Sequence, residues 1–336
     1  GFSRDLWKQF AEMGFTGILI PEADGGLGLG HVEAGVVLEE IGRNLSPSPF
    51  LTTAVAAVEA LKGSAQAERW FPGIISGDTV VGLAIDEGAK HRNAVAMKAE
   101  RSGNGFKLTG AKQFVTHGHV ADLLIVAART AGSAEDDEGV TLFAVPRDAA
   151  NLSTRAERLT DASLAARIEF DGVEVDADAV IGEVDAGRGP LGRLLRAGRT
   201  GAAAEMLGVG GGAMDMTLGY LKERKQFGTV IGSYQALQHR AAHLYSEMEV
   251  ARAAVLKAQQ LLDAGDDRAE AAVSVAKAMT GIATTLAVQE GVQMHGGIGM
   301  TDEYDIGFYM KRGRVLAEMF GDANFHADQL ARAAGY

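Results

Sequence analysis

The chain has 336 residues, 47% of them hydrophobic, which allows one to three domains with sizeable cores and excludes disorder as the main state. The formal net charge is −12 and no long Lys/Arg run occurs, which argues against nucleic acid as a partner. There is no cysteine, so disulfides, thiolate catalysis and Cys-ligated zinc are excluded, and the cytoplasm is the simplest compartment.

Residues 1–76 are predicted to form an N-terminal helical domain. Leu6, Phe10 and Met13 are spaced as on one face of a helix, which Gly14 ends. Apolar spacing predicts further helices over 31–41 and 52–61. No signal peptide heads the chain and no 18-residue apolar run long enough for a bilayer is evident, so no membrane partner is expected.

Short strands replace helices over residues 77–188. The run 80–85 is strand-like, and Asn104-Gly105 between two alternating runs is a strong hairpin signal. Further strands are predicted over 113–116, 123–128, 140–145 and 167–170. Many short strands with short links predict an antiparallel β domain of the sandwich or barrel type.

Helical periodicity returns near Pro190 and continues to the end of the chain. An apolar stripe at intervals of seven and four residues runs through Leu237, Leu244, Met248, Val255 and Leu262. This pattern predicts a C-terminal four-helix bundle over residues 189–336. The order of helices, strands and bundle makes the chain an α+β multi-domain protein.

The segment Arg224-Lys225-Gln226-Phe227-Gly228 lies between two of these long helical patterns. The arginine presents five donors in a rigid plane, which suits a phosphate or diphosphate. The alternative is a plain helix C-terminus, with cations against the helix dipole and the glycine as the stop. A second block, Gln293 to Thr301, contains a Gly-Gly turn and favours the binding interpretation.

The run Gly110-Ala111-Lys112-Gln113-Phe114-Val115-Thr116 is a candidate ligand-facing strand. Side chains two residues apart project from the same face of a strand, so Phe114 and Thr116 can act together. The alternative is an ordinary amphipathic strand.

Two other patterns favour a structural interpretation. Gly208 to Ala213 formally fits the dinucleotide fingerprint, but it lies inside a helical pattern without a preceding strand, which favours close helix packing. His239 and His243 have metal-ligand spacing, but no third ligand is evident, so no metal is predicted.

These blocks and the order of domains resemble the acyl-CoA dehydrogenase family, a group of FAD flavoproteins, over nearly the whole chain. The resemblance implies that each FAD is held by residues of two subunits, so that the protein is a dimer or tetramer of one chain type or two. The implied FAD-binding residues are Arg224, Gln226, Phe227, Gln235, Gln293, Gly296 and Gly297, with Phe114 and Thr116 against the flavin ring.

The sequence departs from the family pattern in three places. Family members usually have more helix ahead of residues 14–30, so part of the first helical domain is missing or was never there. Residues 84–92 stand where the family has a Thr-Glu-Pro-Gly-x-Gly-Ser-Asp loop. Gly198 and Gly321 occupy the two places where family members carry the catalytic Glu.

Two interpretations of the missing base stay open. Asp322 follows Gly321 directly and would be the base if the glycine lets the loop swing the carboxylate inward. Alternatively, the chain lacks a base and is the partner subunit of a heteromeric dehydrogenase, as are some family members that act on steroid CoA thioesters. In either case the Gly321 N–H would polarise a thioester carbonyl, and Arg199 would line the acyl-CoA cleft.

The resemblance implies an acyl-CoA dehydrogenase of fatty acid or steroid catabolism, or a subunit of one. Such an enzyme oxidises an acyl-CoA to the 2,3-enoyl-CoA and passes electrons to an electron-transfer flavoprotein. One alternative is a flavin oxidase or monooxygenase on the same fold. Another is a structural subunit that binds little flavin and completes the site of a partner.

Overall fold

The computed structural model describes residues 2–88, 91 and 94–336. Its contacts divide the chain into two compact units. The β-containing unit comprises Gly1–Gly30 and Pro47–Gly198, and the helical unit comprises His31–Ser46 and Arg199–Tyr336. The predicted order of helices, β domain and C-terminal helices is confirmed, while the domain boundaries at residues 76 and 188 remain predictions.

The described helices include both short and very long ones. They are α1 (Arg4–Glu12), α2 (His31–Arg43), α3 (Val58–Leu61), α4 (Ala65–Ile75), α5 (Arg188–Glu223), α6 (Gln235–Asp263), α7 (Ala269–His295), α8 (Ile306–Glu318) and α9 (Ala323–Ala333). A π-helical stretch, Leu51–Ala57, leads into α3. At α1 the Ser3 side chain accepts the Leu6 N–H as an N-cap, and Gly14 follows the helix with a φ of 82°.

The β-strands form one large sheet and one small hairpin. They are β1 (Val81–Ala84), β2 (Lys98–Ser102), β3 (Gly105–Thr116), β4 (Leu123–Arg129), β5 (Val140–Pro146), β6 (Leu152–Arg158), β7 (Leu164–Asp176), β8 (Val180–Ile181), β9 (Lys225–Gln226) and β10 (Thr229–Val230). The large sheet has the order β6-β7-β3-β2-β4-β5-β8, with β1 also paired to β4. Most of its pairings are antiparallel as predicted, but β4 pairs in parallel with both β1 and β2.

The predicted hairpin at Asn104-Gly105 joins β2 to β3, with Ser102 opposite Gly105. Phe106, Phe143 and Phe170 fill the core of this unit, and the first two rings meet edge to face with centroids 5.2 Å apart. Strand β6 was not predicted, because it lies at the edge of the sheet, where mostly polar and exposed side chains give no apolar alternation.

The helical unit packs at close range through glycines of α5. A Cβ on Gly208 would stand 1.8 Å from the Glu39 carbonyl oxygen, and one on Gly212 would stand 2.6 Å from the Tyr309 ring. The Gly208 to Gly212 run is therefore a helix contact, as predicted. Helix α2 belongs to this unit, since the Gly35 position lies against Gln259 of α6.

Helix α7 corrects one expectation. With the turn that follows it, over Ala269–Met300, it is long and apolar enough to pass a composition test for a membrane span, with a mean hydropathy of 1.5. The expectation that the chain contains no apolar run of this length is therefore wrong. However, 56% of its most apolar stretch is buried inside the protein, which is the burial of a core helix.

Candidate functional site

The two predicted FAD-binding blocks lie at the same end of the helical unit. The Arg224 N–H donates to the Tyr220 carbonyl in the last turn of α5 (2.9 Å). The Tyr220 ring packs on the ring of His295, with centroids 4.6 Å apart. His295 directly precedes Gly296, so the arginine block and the Gly-Gly turn are neighbours in space.

The arginine block is a β-hairpin rather than a helix C-terminus. Strands β9 and β10 pair with Gln226 opposite Thr229, and Phe227 and Gly228 close the turn with φ angles of 51° and 82°. Two successive residues at positive φ are typical of the tight hairpin turn. Since α5 ends at Glu223, the interpretation of Gly228 as a helix stop is wrong.

The side chains of this hairpin are open to contact. Phe227 is 92% exposed, and Arg224 and Gln226 are exposed as well. Among the residues that the structure describes, the Arg224 guanidinium has no hydrogen-bond or ion-pair partner. An exposed, unpaired guanidinium is a suitable donor group for an anionic ligand.

The glycine turn after α7 is open too. Gly296 has φ 66° and ψ −140°, a conformation that favours glycine. A Cβ on Gly296 or Gly297 would meet nothing within 4 Å. Gln293 before the turn and Gln235 at the start of α6 are both exposed. Amide donors, a free guanidinium and an approachable backbone form a set that fits a dinucleotide diphosphate.

The His295 side chain stabilises this end of the helical unit through packing and one hydrogen bond, and it does so in its neutral form. Its Nδ1 donates to the Gly291 carbonyl oxygen (2.6 Å), and its ring also packs against Tyr304, with centroids 4.7 Å apart. Burial lowers the pKa of His295, so the ring stays uncharged at neutral pH. His295 thus holds the two blocks together by packing.

In the β-containing unit, Phe114 and Thr116 lie at an irregular part of β3. The pairing of β3 with β7 shifts register between Lys112 and Val115, and Phe114 has a φ of 54°. Val115 is fully buried, whereas Phe114 is 44% exposed and Thr116 is half-buried. Phe114 and Thr116 are thus both accessible, while the irregularity at Phe114 interrupts the regular alternation of side chains along β3.

A partly buried ion pair that the sequence did not reveal supports this strand. The Lys112 Nζ lies 2.6 Å from a Glu87 carboxylate oxygen, and burial lowers the pKa of Lys112. The Gln113 N–H donates to the Asp86 carbonyl (2.8 Å), which ties β3 to the loop before it. Of the loop over residues 84–92, positions 89, 90 and 92 lie outside the described residues.

The second glycine turn of the helical unit, between α8 and α9, is closed. Phe320 and Gly321 have φ angles of 60° and 107°. A Cβ on Gly321 would stand 2.4 Å from Cδ1 of Phe325, so a glutamate does not fit here without movement of that ring. Asp322 is the N-cap of α9, where its Oδ1 accepts the Phe325 N–H (2.8 Å).

Arg199 contacts this turn from helix α5. The side chain is 7% exposed, and its Nε donates to the Phe320 carbonyl oxygen (3.2 Å). It also pairs with Glu270 (3.2 Å) and lies over the Phe325 ring. These contacts show Arg199 fixing the turn, and its place in an acyl-CoA cleft stays a prediction.

Lys277 of α7 is a second cation at this turn that the sequence analysis missed. It is fully buried, and its Nζ donates to the carbonyl oxygens of Ala317 (2.9 Å) and Gly321 (2.8 Å). One signal was available. Lys277 is the only lysine or arginine between Ala269 and Met300, a stretch of mainly apolar residues. A cation buried in a helix needs partners from elsewhere in the fold.

Comparison with known families identifies matches along nearly the whole chain. Residues 1–78 match the N-terminal domain of acyl-CoA dehydrogenases, residues 85–173 the middle domain, and residues 187–335 the C-terminal domain. Among curated proteins, acyl-CoA dehydrogenase FadE12 of Mycobacterium tuberculosis is 31% identical over 320 residues, which cover 93% of this chain and 82% of that protein.

Solved structures agree with these matches. The steroid ACAD G363A variant Tcur3481-Tcur3483 superposes with a TM-score of 0.89 at 32% identity, covering 100% of this chain and 90% of that one. The ChsE4-ChsE5 complex of Mycobacterium tuberculosis gives a TM-score of 0.90 at 26% identity, covering 100% of this chain and 89% of that one.

Proposed function

The chain belongs to the acyl-CoA dehydrogenase family of FAD-dependent oxidoreductases, and from that premise we propose that it desaturates an acyl-CoA thioester at positions 2 and 3. We further propose that the electrons pass to an electron-transfer flavoprotein and that the enzyme works in the cytoplasm. The position of the Arg224 hairpin at the same end of the helical unit as the open Gly296-Gly297 turn carries this proposal.

At that end of the helical unit, Arg224 binds the FAD diphosphate through paired, charge-assisted hydrogen bonds. Gly296 and Gly297 let the backbone approach the ligand, and Gln226, Gln235 and Gln293 supply amide donors. The FAD held here belongs to a neighbouring subunit, so the protein is an oligomer. The exposure of Phe227 at the hairpin tip supports contact with a second molecule, since large aromatic side chains are enriched at interfaces.

In the β-containing unit, Phe114 and Thr116 would hold the flavin ring of the FAD that their own subunit binds. Bound FAD supplies the acceptor for the hydride that leaves the substrate. The Lys112–Glu87 pair keeps β3 and its bulge in place beneath these two side chains.

The turn at Gly321 positions the thioester. The Gly321 N–H donates to the Glu318 carbonyl at 3.3 Å, a long bond that a thioester oxygen can replace. Asp322 is the proposed base that removes the proton at position 2, which requires the carboxylate to leave its capping bond with the Phe325 N–H.

A second candidate function is the base-less partner subunit of a heteromeric dehydrogenase. The capping role of Asp322 and the lack of space for a side chain at Gly321 favour it. Gly198, at the other place for the base, has no side chain that could take a proton.

Anaerobic titration of the purified protein tests the main proposal. We expect a flavin absorbance band that acyl-CoA bleaches, across a panel of short-chain, long-chain and steroid CoA thioesters. Colourless or monomeric protein would contradict the proposal. Fast reoxidation of the reduced flavin by oxygen would instead indicate an oxidase or monooxygenase.

Asp322→Asn separates the two candidates. Asparagine caps a helix about as well as aspartate, so the turn keeps its structure while the base is lost. If Asp322 is the base, we expect bleaching to slow by roughly 100-fold or more. Bleaching at the unchanged rate would remove Asp322 from the mechanism, and a protein that bleaches only with a second chain type present would favour the partner subunit.

A further inference from the structure

Two buried cations hold the backbone of the turn between α8 and α9. Arg199 binds the carbonyl oxygen of Phe320 (3.2 Å), and Lys277 binds that of the next residue, Gly321 (2.8 Å). Lys277 also binds the Ala317 carbonyl in the last turn of α8 (2.9 Å). Two successive carbonyl groups are thus fixed by two different helices, α5 and α7.

These contacts set the directions in which the turn offers its own donors. In a trans peptide, C=O and N–H point in opposite directions, so fixing the Phe320 oxygen fixes the Gly321 N–H. In the same way, fixing the Gly321 oxygen fixes the Asp322 N–H. Phe320 has a φ of 60°, and such a conformation in a bulky residue persists only where the surroundings hold it.

The number of acceptors around Lys277 matches a neutral amine. A neutral amine has two N–H donors, and within the described part of the chain Nζ has two acceptors, the Ala317 and Gly321 oxygens. The pKa of Lys277 is lowered to about 7, mainly by burial and also by the charge of Arg199, while Glu318 and Asp322 oppose both effects.

We propose that Lys277 is a positioning residue for the dehydrogenase reaction: its buried amine fixes the Phe320-Gly321-Asp322 turn against which the acyl-CoA thioester binds, and its protonation loosens that turn. The inference rests on the function proposed above. It assigns Lys277 no contact with the substrate, so its effect must pass through the backbone of the turn.

The direction of the pH effect follows from proton linkage. Lys277 released to solvent has its ordinary pKa of 10.5, whereas the buried amine has a pKa of about 7. Between these two values the released lysine holds a proton that the buried one lacks, so acid favours release and rising pH favours the closed turn. The turn is thus expected to tighten as pH rises above about 7.

Hydrogen exchange of the FAD-loaded protein measures the turn directly. We expect amides 318–323, corrected for intrinsic exchange rates, to gain at least threefold protection between pH 6.5 and 8.5. In Lys277→Met, whose side chain has no donor, the amides of this turn should exchange at least tenfold faster. Their protection should also no longer increase between pH 6.5 and 8.5, an increase that we call the pH step. Lys277→Gln, which keeps two N–H donors without a titrating charge, should restore most of the protection and also lack the step. Lys257→Met, at an exposed lysine of α6, is the matched control.

Binding of a 3-thia-acyl-CoA, which cannot be desaturated, measures the consequence for the substrate. We expect Lys277→Met to raise its Kd at least fivefold at unchanged flavin content, and Lys277→Gln to raise it less than twofold. Turn exchange and Kd that match the wild type in Lys277→Met would overturn the inference. If Lys277→Met does not fold, the wild-type protein provides the test. Amide protection at the turn that does not change between pH 6.5 and 8.5 would then overturn the inference. A pH step in exchange without any binding of the analogue would refute the proposed function and leave the hold of Lys277 on the turn supported.

Discussion

Two glycine turns of the helical unit differ in what surrounds them. Around Gly296 and Gly297 the space for a Cβ is open, and the neighbouring Arg224 is exposed with no partner in the described part of the chain. Around Gly321 a Cβ would stand 2.4 Å from Phe325. The cations at that second turn are buried and bound to carbonyl oxygens.

This difference indicates that the surroundings of a glycine or a cation decide whether it is available to a ligand or stabilises the fold. An exposed guanidinium keeps its donors for a ligand, whereas a buried one must satisfy them inside the protein. In the function proposed above, the open turn binds the cofactor, whereas the cations of the closed turn hold its backbone. Substitutions at the closed turn should therefore lower the stability of the protein, whereas substitutions at the open turn should weaken FAD binding and leave stability nearly unchanged.

The largest predicted effect is the difference in unfolding free energy between Gly321→Ala at the closed turn and Gly297→Ala at the open turn. Gly321→Ala places a side chain at a φ of 107° and against Phe325, so strain of about 1–3 kcal/mol adds to a similar packing cost. Gly297→Ala meets open space and should change the stability of the apoprotein by no more than about 0.5 kcal/mol. Urea unfolding of both apoproteins measures this contrast, and equal losses would show that the two turns do not differ.

Gly297→Ala should still weaken FAD binding, because the added methyl group separates the backbone from the ligand. Titration of the apoprotein with FAD, followed by flavin fluorescence, provides this second readout. An unchanged Kd for FAD would show that the open turn does not approach the cofactor.

A smaller effect is expected for Arg224→Ala. Hydrogen bonds to charged groups contribute about 1.5–3 kcal/mol, so the loss should weaken FAD binding by roughly 10- to 100-fold without lowering the stability of the apoprotein. Arg332→Ala removes the same charge from an exposed residue of α9 and is the matched control. FAD binding weakened equally in both variants would indicate a general charge effect and contradict the assignment.

The open turn could be anticipated from the sequence because its proposed function depends on local features. An arginine, a Gly-Gly pair and an exposed glutamine are visible as residues, whatever lies around them. The local backbone was harder to predict. Arg224 to Gly228 has the composition of a helix end, but the positive φ angles of Phe227 and Gly228 make it a hairpin.

The structure of the closed turn could not be anticipated, because the side chains that hold its backbone come from distant parts of the sequence. Lys277 finds its carbonyl partners 40 and 44 residues further along the chain, and no spacing rule connects them. The partly buried Lys112–Glu87 pair was missed for the same reason, since 25 residues separate its members. The sequence did mark Gly321 as a departure from the family pattern, but it could not show that Phe325 fills the space beside the glycine.

The smallest predicted effect concerns the acid of the closed turn. Asp322→Ala removes the N-cap of α9 and should cost about 1 kcal/mol, whereas Asp322→Asn keeps the cap and should cost a few tenths at most. Thermal unfolding of the apoproteins compares them. Equal stability of both variants with the wild type would show that the capping bond contributes nothing, and the carboxylate would then swing toward a substrate without loss. A difference of the expected size would make Asp322→Asn a clean probe, because any change in its bleaching rate must come from the lost base rather than from a disordered turn.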